Sequence, residues 1–159
     1  MPKLLIDGEE IEVAAGTTIL QAAEAHGIEI PHFCYHPGLS IAGNCRMCLV
    51  EVEKAPKLQI ACQTQVADGM VVQTTSEPVK QAQRAVMEFL LVNHPLDCPI
   101  CDQAGECRLQ EQSAGYGAGI SRYTEPKMAL AKAVDIGRHV MLDQERCIHC
   151  SRCVRFCEE

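Results

Sequence analysis

Over the first 80 residues the apolar side chains come in short runs broken by turn formers. Lys3–Ile6 and Ile11–Ala14 are two such runs, joined by Asp7-Gly8-Glu9-Glu10, which predicts a hairpin. Gly16-Thr17-Thr18 leads into ILQAAEAHG, where Thr18 and Gln21 have the spacing of a capping box and Gly27 suits the position just past a helix end. Cys48–Glu53 reads CLVEVE, the alternation of a half-buried strand, and Leu58–Val66 and Met70–Thr74 predict two more strands around the turn pair Asp68-Gly69. Two strands, a helix and then further strands predict a compact α+β fold of the β-grasp kind. The period then changes. Pro78 opens a helix expected over about 78–93, with a stripe of Val79, Ala82, Val86, Phe89, Leu90 and Val92, and Pro95 ends it. A cysteine-rich loop and a short helix are expected over 95–112, and a connecting loop with Gly115, Gly117, Gly119 and Pro126 over 113–133. A short strand at Val140–Leu142 is expected before a last cysteine cluster. No internal repeat or low-complexity tract interrupts this order.

Charge removes several functional classes. The 159 residues carry a net charge of −7, with 5 basic and 10 acidic side chains in residues 1–80 and 9 and 11 in the rest. Neither half offers the basic footprint that phosphate recognition needs, so nucleic acid is not an expected partner. The longest apolar stretch, Ala85–Val92, is interrupted by Glu88 and is far shorter than the roughly 20 residues of a membrane span. The first residues, MPKLLIDGEE, lack the apolar core of a secretory signal, and a cytosolic, soluble chain is expected.

Cysteine changes the picture most. There are 11, an odd number, and aromatic content is only 4%, so packing offers few large anchors. In a reducing compartment such a set points to metal ligation rather than disulfides, and ligation would supply folding energy that the core lacks. The cysteines fall into three groups. Cys34, Cys45, Cys48 and Cys62 are spaced C-x10-C-x2-C-x13-C. Four thiolates are the full shell of a [2Fe–2S] cluster; a four-cysteine zinc site is the alternative, although zinc sites usually use two short pairs. Glycine in the tight Gly43–Cys48 turn would let backbone N–H groups approach the sulfurs, and His32 and His36 flank Cys34 as candidate donors. Cys62 is expected on a strand. The second group is His94, Cys98, Cys101 and Cys107. Three cysteines are one short of a [4Fe–4S] shell, and His94, expected on the last helical turn, stands at the right distance to be the fourth ligand. A plain helix C-terminal cation is the alternative for it. The third group, Cys147, Cys150, Cys153 and Cys157, is the C-x2-C-x2-C-x3-C ferredoxin run. In that run the fourth cysteine usually serves another cluster. The favoured expectation is therefore that the fourth ligand of this cluster lies beyond the chain, with Cys157 closing it as the other reading.

PHFCYHPGLSIAGNCRMCLVEVE, NHPLDCPICDQAGECRLQ and ERCIHCSRCVRF together resemble the family of large iron–sulfur subunits of bacterial NADH:quinone oxidoreductase, respiratory complex I. The resemblance covers essentially the whole chain and corresponds to the family's N-terminal iron–sulfur region. It implies a [2Fe–2S] ferredoxin-like β-grasp domain over 1–78 and a small helical [4Fe–4S] domain over 79–118 with His94 as a ligand. A connecting loop over 119–138 and the start of a second [4Fe–4S] segment over 139–159 follow. It implies one [2Fe–2S] and one to two [4Fe–4S] clusters and no substrate-converting residue. The implied role is to relay electrons from the flavin-bearing, NADH-oxidising subunit toward quinone. The implied partners are that subunit and its hydrophilic-arm neighbours, on the cytoplasmic side of the inner membrane and attached only through the complex. No G-x-G-x-x-G fingerprint follows a strand, so direct NADH binding is not expected. The same modules begin iron-only hydrogenases and some NAD-linked formate dehydrogenases, which gives one alternative; a zinc-stabilised interaction domain is the other.

Overall fold

The computed structural model describes residues 1–159 and divides into two compact units, Met1–Gln83 with Ser151–Glu159, and Arg84–Cys150. In the first unit, β1 (Lys3–Ile6), β2 (Glu9–Glu12), β3 (Leu49–Val52), β4 (Gln59–Ile60) and β5 (Met70–Gln73) form one mixed sheet in the order β2-β1-β5-β3-β4. β1 lies antiparallel to β2 and parallel to β5, with Leu4 opposite Met70 and Ile6 opposite Val72. This is the expected β-grasp, with α1 (Ile19–Ala25) burying Ile19, Leu20, Ala22 and Ala23 in the same core as Leu4, Ile6, Val50 and Val72.

Local chemistry explains most boundaries. The hairpin turn is only Asp7-Gly8, both at positive φ (51° and 90°), as a two-residue turn between right-twisted strands requires. β2 therefore begins at Glu9, two residues ahead of the apolar run that announced it. Thr18 and Gln21 make the capping box reciprocally, at 3.3 and 3.0 Å. The expected strand over Leu58–Val66 shrinks to Gln59–Ile60. The N–H groups of Gln63 and Thr64 both turn back to the Ile60 carbonyl, so the chain curls there and Cys62 sits on the turn rather than on a strand.

α2 (Glu77–Leu91) appears where its periodicity placed it, but its buried row is Val79, Gln83 and Met87, and Phe89 is exposed. In the second unit a 3-10 turn at Cys98–Ile100 precedes α3 (Arg108–Tyr116), and β6 (Val134–Asp135) pairs with β7 (Met141–Leu142). α3 runs past the expected end at 112 and stops at Gly117, where a Cβ would lie 2.4 Å from the Ser113 carbonyl oxygen. The loop after it is tied to the end of α2. Arg122 donates to both carboxylate oxygens of Glu88 at 2.7 and 2.6 Å, and Lys127 Nζ donates to the Leu91 and Val92 carbonyls at 2.7 and 3.1 Å. α4 (Arg152–Glu158) closes the chain and belongs to the first unit. No helix is long and apolar enough to cross a membrane.

Candidate metal centres

The first cysteine group is brought into direct contact. Cys34 leaves the loop after α1, Cys45 and Cys48 bracket a tight loop before β3, and Cys62 stands on the turn after β4. That tight loop needs left-handed backbone at Gly43 (φ 59°) and Arg46 (φ 61°). Cys34, Cys48 and Cys62 are buried, and Cys45 is half-buried. The thiols are hydrogen-bonded in the order Cys45, Cys34, Cys62, Cys48. The Cys45 and Cys62 thiols, both donating to its sulfur, hold Cys34 far below the usual thiol range. Cys62 as donor likewise lowers Cys48. Cys45 and Cys62 are pushed up, first by the hydrogen bonds they donate and then by burial.

Backbone N–H groups surround the same sulfurs. Those of Cys45 and Asn44 face Cys34, and those of Cys34, Met47 and Phe33 face Cys45, with Cys34 N 3.5 Å from Cys45 Sγ. Buried anionic sulfur ringed by amide donors fits an iron–sulfur cluster: the thiolates ligate, and the donors stabilise the added negative charge and raise the potential. His32 and His36 serve other ends. His32 Nδ1 donates to the Ile30 carbonyl at 2.9 Å and the ring meets Tyr35 edge-on at 5.6 Å; His36 Nδ1 accepts from Gly38 N at 3.1 Å.

The second group lies within the second unit. His94 stands three residues past the end of α2, not on its last turn, because the helix stops at Leu91 ahead of Pro95. Its Nδ1 is buried without a hydrogen-bond partner. Burial first, and the nearby Lys127 charge next, lower its pKa and keep the ring neutral, the form that ligates metal. An orphaned buried polar atom costs about 1–3 kcal/mol, and a metal bond would satisfy it. Cys98 opens the 3-10 turn, Cys101 caps it, and Cys107 is the N-cap of α3. Between them the chain curls tightly: Ala104 N donates to the Cys101 carbonyl at 3.0 Å and Glu106 N to the Gln103 carbonyl at 3.2 Å, with Gly105 at φ 88°. His94 also lines a cavity of about 270 Å³ with Phe89, Met128, Leu130, Cys147 and His149.

The third group is divided between the units. Cys147 and Cys150 belong to the second, and Cys147 Sγ accepts from His149 N at 3.4 Å. Cys153 and Cys157 belong to the first and are exposed, one turn apart on α4. His149 and Ser151 flank Cys150 at φ 53° and 59°, tight backbone of the kind a ligand loop needs. Nowhere do three or more His, Cys, Asp or Glu side chains converge on a single ion position.

Two groups escaped the sequence. Arg155 and Arg152 reach from α4 to carbonyls of the Cys34 loop, and Asp97 gathers Lys132 and Arg146 beside the second cysteine group. The only signal for Arg155 was its placement on the helix face away from Cys153 and Cys157.

A β-grasp that brings four cysteines together, with backbone amides at three of them, is the arrangement of a ferredoxin-type iron–sulfur protein. Known proteins share both halves of this arrangement. Residues 3–77 match a 2Fe-2S iron-sulfur cluster binding domain, and residues 83–122 match the NADH-ubiquinone oxidoreductase-G iron-sulfur binding region. The chain is 56% identical over all 159 residues to the NADH-quinone oxidoreductase G subunit of Rickettsia bellii, covering 23% of it, and 54% identical to that of Rickettsia conorii, covering 24%. A solved NAD+-reducing [NiFe]-hydrogenase in the H2-reduced state matches 97% of the chain and 64% of its own, with a TM-score of 0.84 and 32% identity. The chain is similar over its whole length to NADH-quinone oxidoreductase G subunits and spans about a quarter of the length of these curated relatives. It carries a [2Fe–2S] domain and a [4Fe–4S] binding region.

Proposed function

We propose that this chain is the iron–sulfur relay of an NADH:quinone oxidoreductase, passing electrons from the flavin-bearing, NADH-oxidising subunit toward quinone. The observation that carries the reading is the chain of four hydrogen-bonded thiols, with backbone amides facing Cys34, Cys45 and Cys48. When bound, the clusters supply one-electron storage without bond chemistry. Cys34, Cys45, Cys48 and Cys62 hold the [2Fe–2S] cluster within the domain expected over 1–78. His94, Cys98, Cys101 and Cys107 hold a [4Fe–4S] cluster within the domain expected over 79–118. Cys147, Cys150 and Cys153 are three ligands of a second [4Fe–4S] cluster, its fourth ligand outside these 159 residues rather than Cys157.

What the residues do is bind and tune. All four cysteines ligate as thiolates, so loading releases the protons they carry. The amides of Asn44, Cys45 and Met47 favour the reduced state. His94, neutral in place of a thiolate, makes its cluster less negative. The partners are the flavin subunit and its hydrophilic neighbours, and membrane attachment is peripheral, through the complex, on the cytoplasmic side. Exposed Phe89, Leu96, Ile100 and Ile120 supply apolar surface for such contacts.

The hydrogenase likeness favours a second reading, the same module serving an NAD-linked hydrogenase. The test is iron and acid-labile sulfide on anaerobically purified protein, with EPR after dithionite reduction. One [2Fe–2S] signal and one or two [4Fe–4S] signals are expected. Zinc without sulfide after attempted reconstitution would replace the relay by a zinc-held interaction domain. Electron delivery from the purified complex to quinone or to protons separates the two redox readings.

A further inference from the structure

α4 carries a charge into the first unit. It shows Cys153 and Cys157 to solvent and turns Arg155 inward, where it is 6% exposed and is the one charged side chain among the buried residues. The Arg155 guanidinium donates through one nitrogen to the Cys34 carbonyl and through another to the Ser40 carbonyl. Arg152 donates to the Tyr35 carbonyl between them. The Glu159 carboxylate accepts from Ser40 N at 3.0 and 3.2 Å, and Asn44 Nδ2 donates to Ser151 Oγ at 3.3 Å. One short helix therefore grips the 34–40 loop at both ends, twice at the Cys34 end. Cys34 is held from two sides, its carbonyl by Arg155 and its N–H by Cys45 Sγ at 3.5 Å.

These acceptors are neutral carbonyls, so they fix the guanidinium without cancelling its charge. Glu159 offsets part of it, and its own carboxyl is lowered first by its hydrogen bond from Ser40 and only last by Arg155. A full charge away from water acts through a low dielectric, where its effect on a neighbouring anion is large.

We propose that Arg155 is a positioning residue for the Cys34 loop and that its charge raises the reduction potential of the [2Fe–2S] site. The inference rests on the reading that Cys34, Cys45, Cys48 and Cys62 hold that cluster. Reduction adds one electron to an already anionic cluster, with no bond made or broken; a buried cation beside Cys34 stabilises the added charge. The segment carrying the third cysteine group thereby sets a property of the first.

The test is an EPR-monitored redox titration of the [2Fe–2S] signal in the assembled complex, for wild type, Arg155→Lys, Arg155→Met and Glu159→Gln. Arg155→Met is expected to lower the reduction equilibrium constant about tenfold, which is about 59 mV for one electron. Arg155→Lys keeps the charge and stays within about threefold of wild type, or about 28 mV at the same conversion, while amide exchange in residues 34–40 quickens for want of the second donor. Glu159→Gln moves the potential the other way. An unmoved Arg155→Met potential, or an equal fall in Arg155→Lys, overturns the proposal. Should Arg155→Met fail to hold the cluster, Glu159→Gln decides: a rise supports the proposal and no rise overturns it. A wild type without a [2Fe–2S] signal would overturn the site reading itself, a different result from a normal signal that the variants leave in place.

Discussion

A single histidine separates the second site from an all-cysteine shell. On the proposed ligand set the neutral His94 ring stands in place of one negative thiolate, so His94→Cys should keep a [4Fe–4S] cluster and lower its potential by at least tenfold in the reduction equilibrium, about 59 mV. An unchanged midpoint in a redox titration would remove His94 from the ligand set. Gly43 makes a different demand. Its φ of 59° is left-handed, and a Cβ there would come within 2.8 Å of Gln63 Oε1. The amide end of Gln63 can swing away, but the dihedral cannot relax without moving the Cys45 loop. Gly43→Ala should therefore cost about 1–2 kcal/mol, the usual penalty of a side chain in that region, and Gln63→Ala should not rescue it. Denaturant titration of both variants reads this directly. The grouping of Cys34, Cys45, Cys48 and Cys62 was legible because spacing alone marks it, and the fold brings these four together. Arg155 was not, because an arginine between two cysteines reads as a solvated charge until the fold supplies carbonyls for it.

At the scale of elements, local signals did well wherever local chemistry decides. The Thr18–Gln21 box, Gly27 at φ 73° past α1, and Asp68-Gly69 ahead of β5 each stand where their side-chain chemistry puts them. Thr18→Ala should cost about 1 kcal/mol, readable as a fall in the denaturation midpoint, since it frees an N-terminal donor of α1. What failed were apolar runs taken as strands or stripes. Leu58–Val66 is apolar enough for a strand, but the backbone turns at Ile60 to deliver Cys62, and only tertiary context contains that demand. Likewise Gly115 reads as a breaker yet lies inside α3, which ends only where Gly117 meets the Ser113 carbonyl. The loop following α3, read as a mere connection, is pinned by the Arg122–Glu88 pair. Arg122, through its hydrogen bond and then its charge, holds the Glu88 carboxyl below the usual carboxylate range. The sign follows: a lowered folded-state pKa contributes stability that is present above the ordinary carboxylate value, about 4.3, and is lost as pH falls through the folded value. Proteolysis near Arg122 should rise below about pH 4 in wild type, and Glu88→Gln should already be cleaved faster at neutral pH.

The two units differ in what holds them together. Of the buried apolar residues, only Met87 and Leu109 lie between Arg84 and Cys150, whereas the same stretch exposes Phe89, Leu96, Ile100, Ile120 and Met128 among others. Two buried side chains contribute roughly 3–6 kcal/mol. Ordering even ten backbone residues costs about 10–20 kcal/mol. Burial cannot close that gap in the second unit, and exposed, water-screened ion pairs such as Arg122–Glu88 add little. The first unit is in the opposite position, with the sheet and α1 sharing an apolar core that contains Cys48 and Cys62 but does not consist of them. On the proposed ligand set, cluster ligation would supply the folding energy of the second unit, as metal does in small metal-dependent domains, where binding is worth about 10–16 kcal/mol. Iron-stripped protein should keep slow amide exchange in β1, β3 and β5 and lose it across residues 98–150. Reconstitution with iron and sulfide should restore protection there together with the [4Fe–4S] EPR signal. Protection of 98–150 that survives stripping would show that packing suffices, and the cysteine loops would then be passengers on a fold that stands without them.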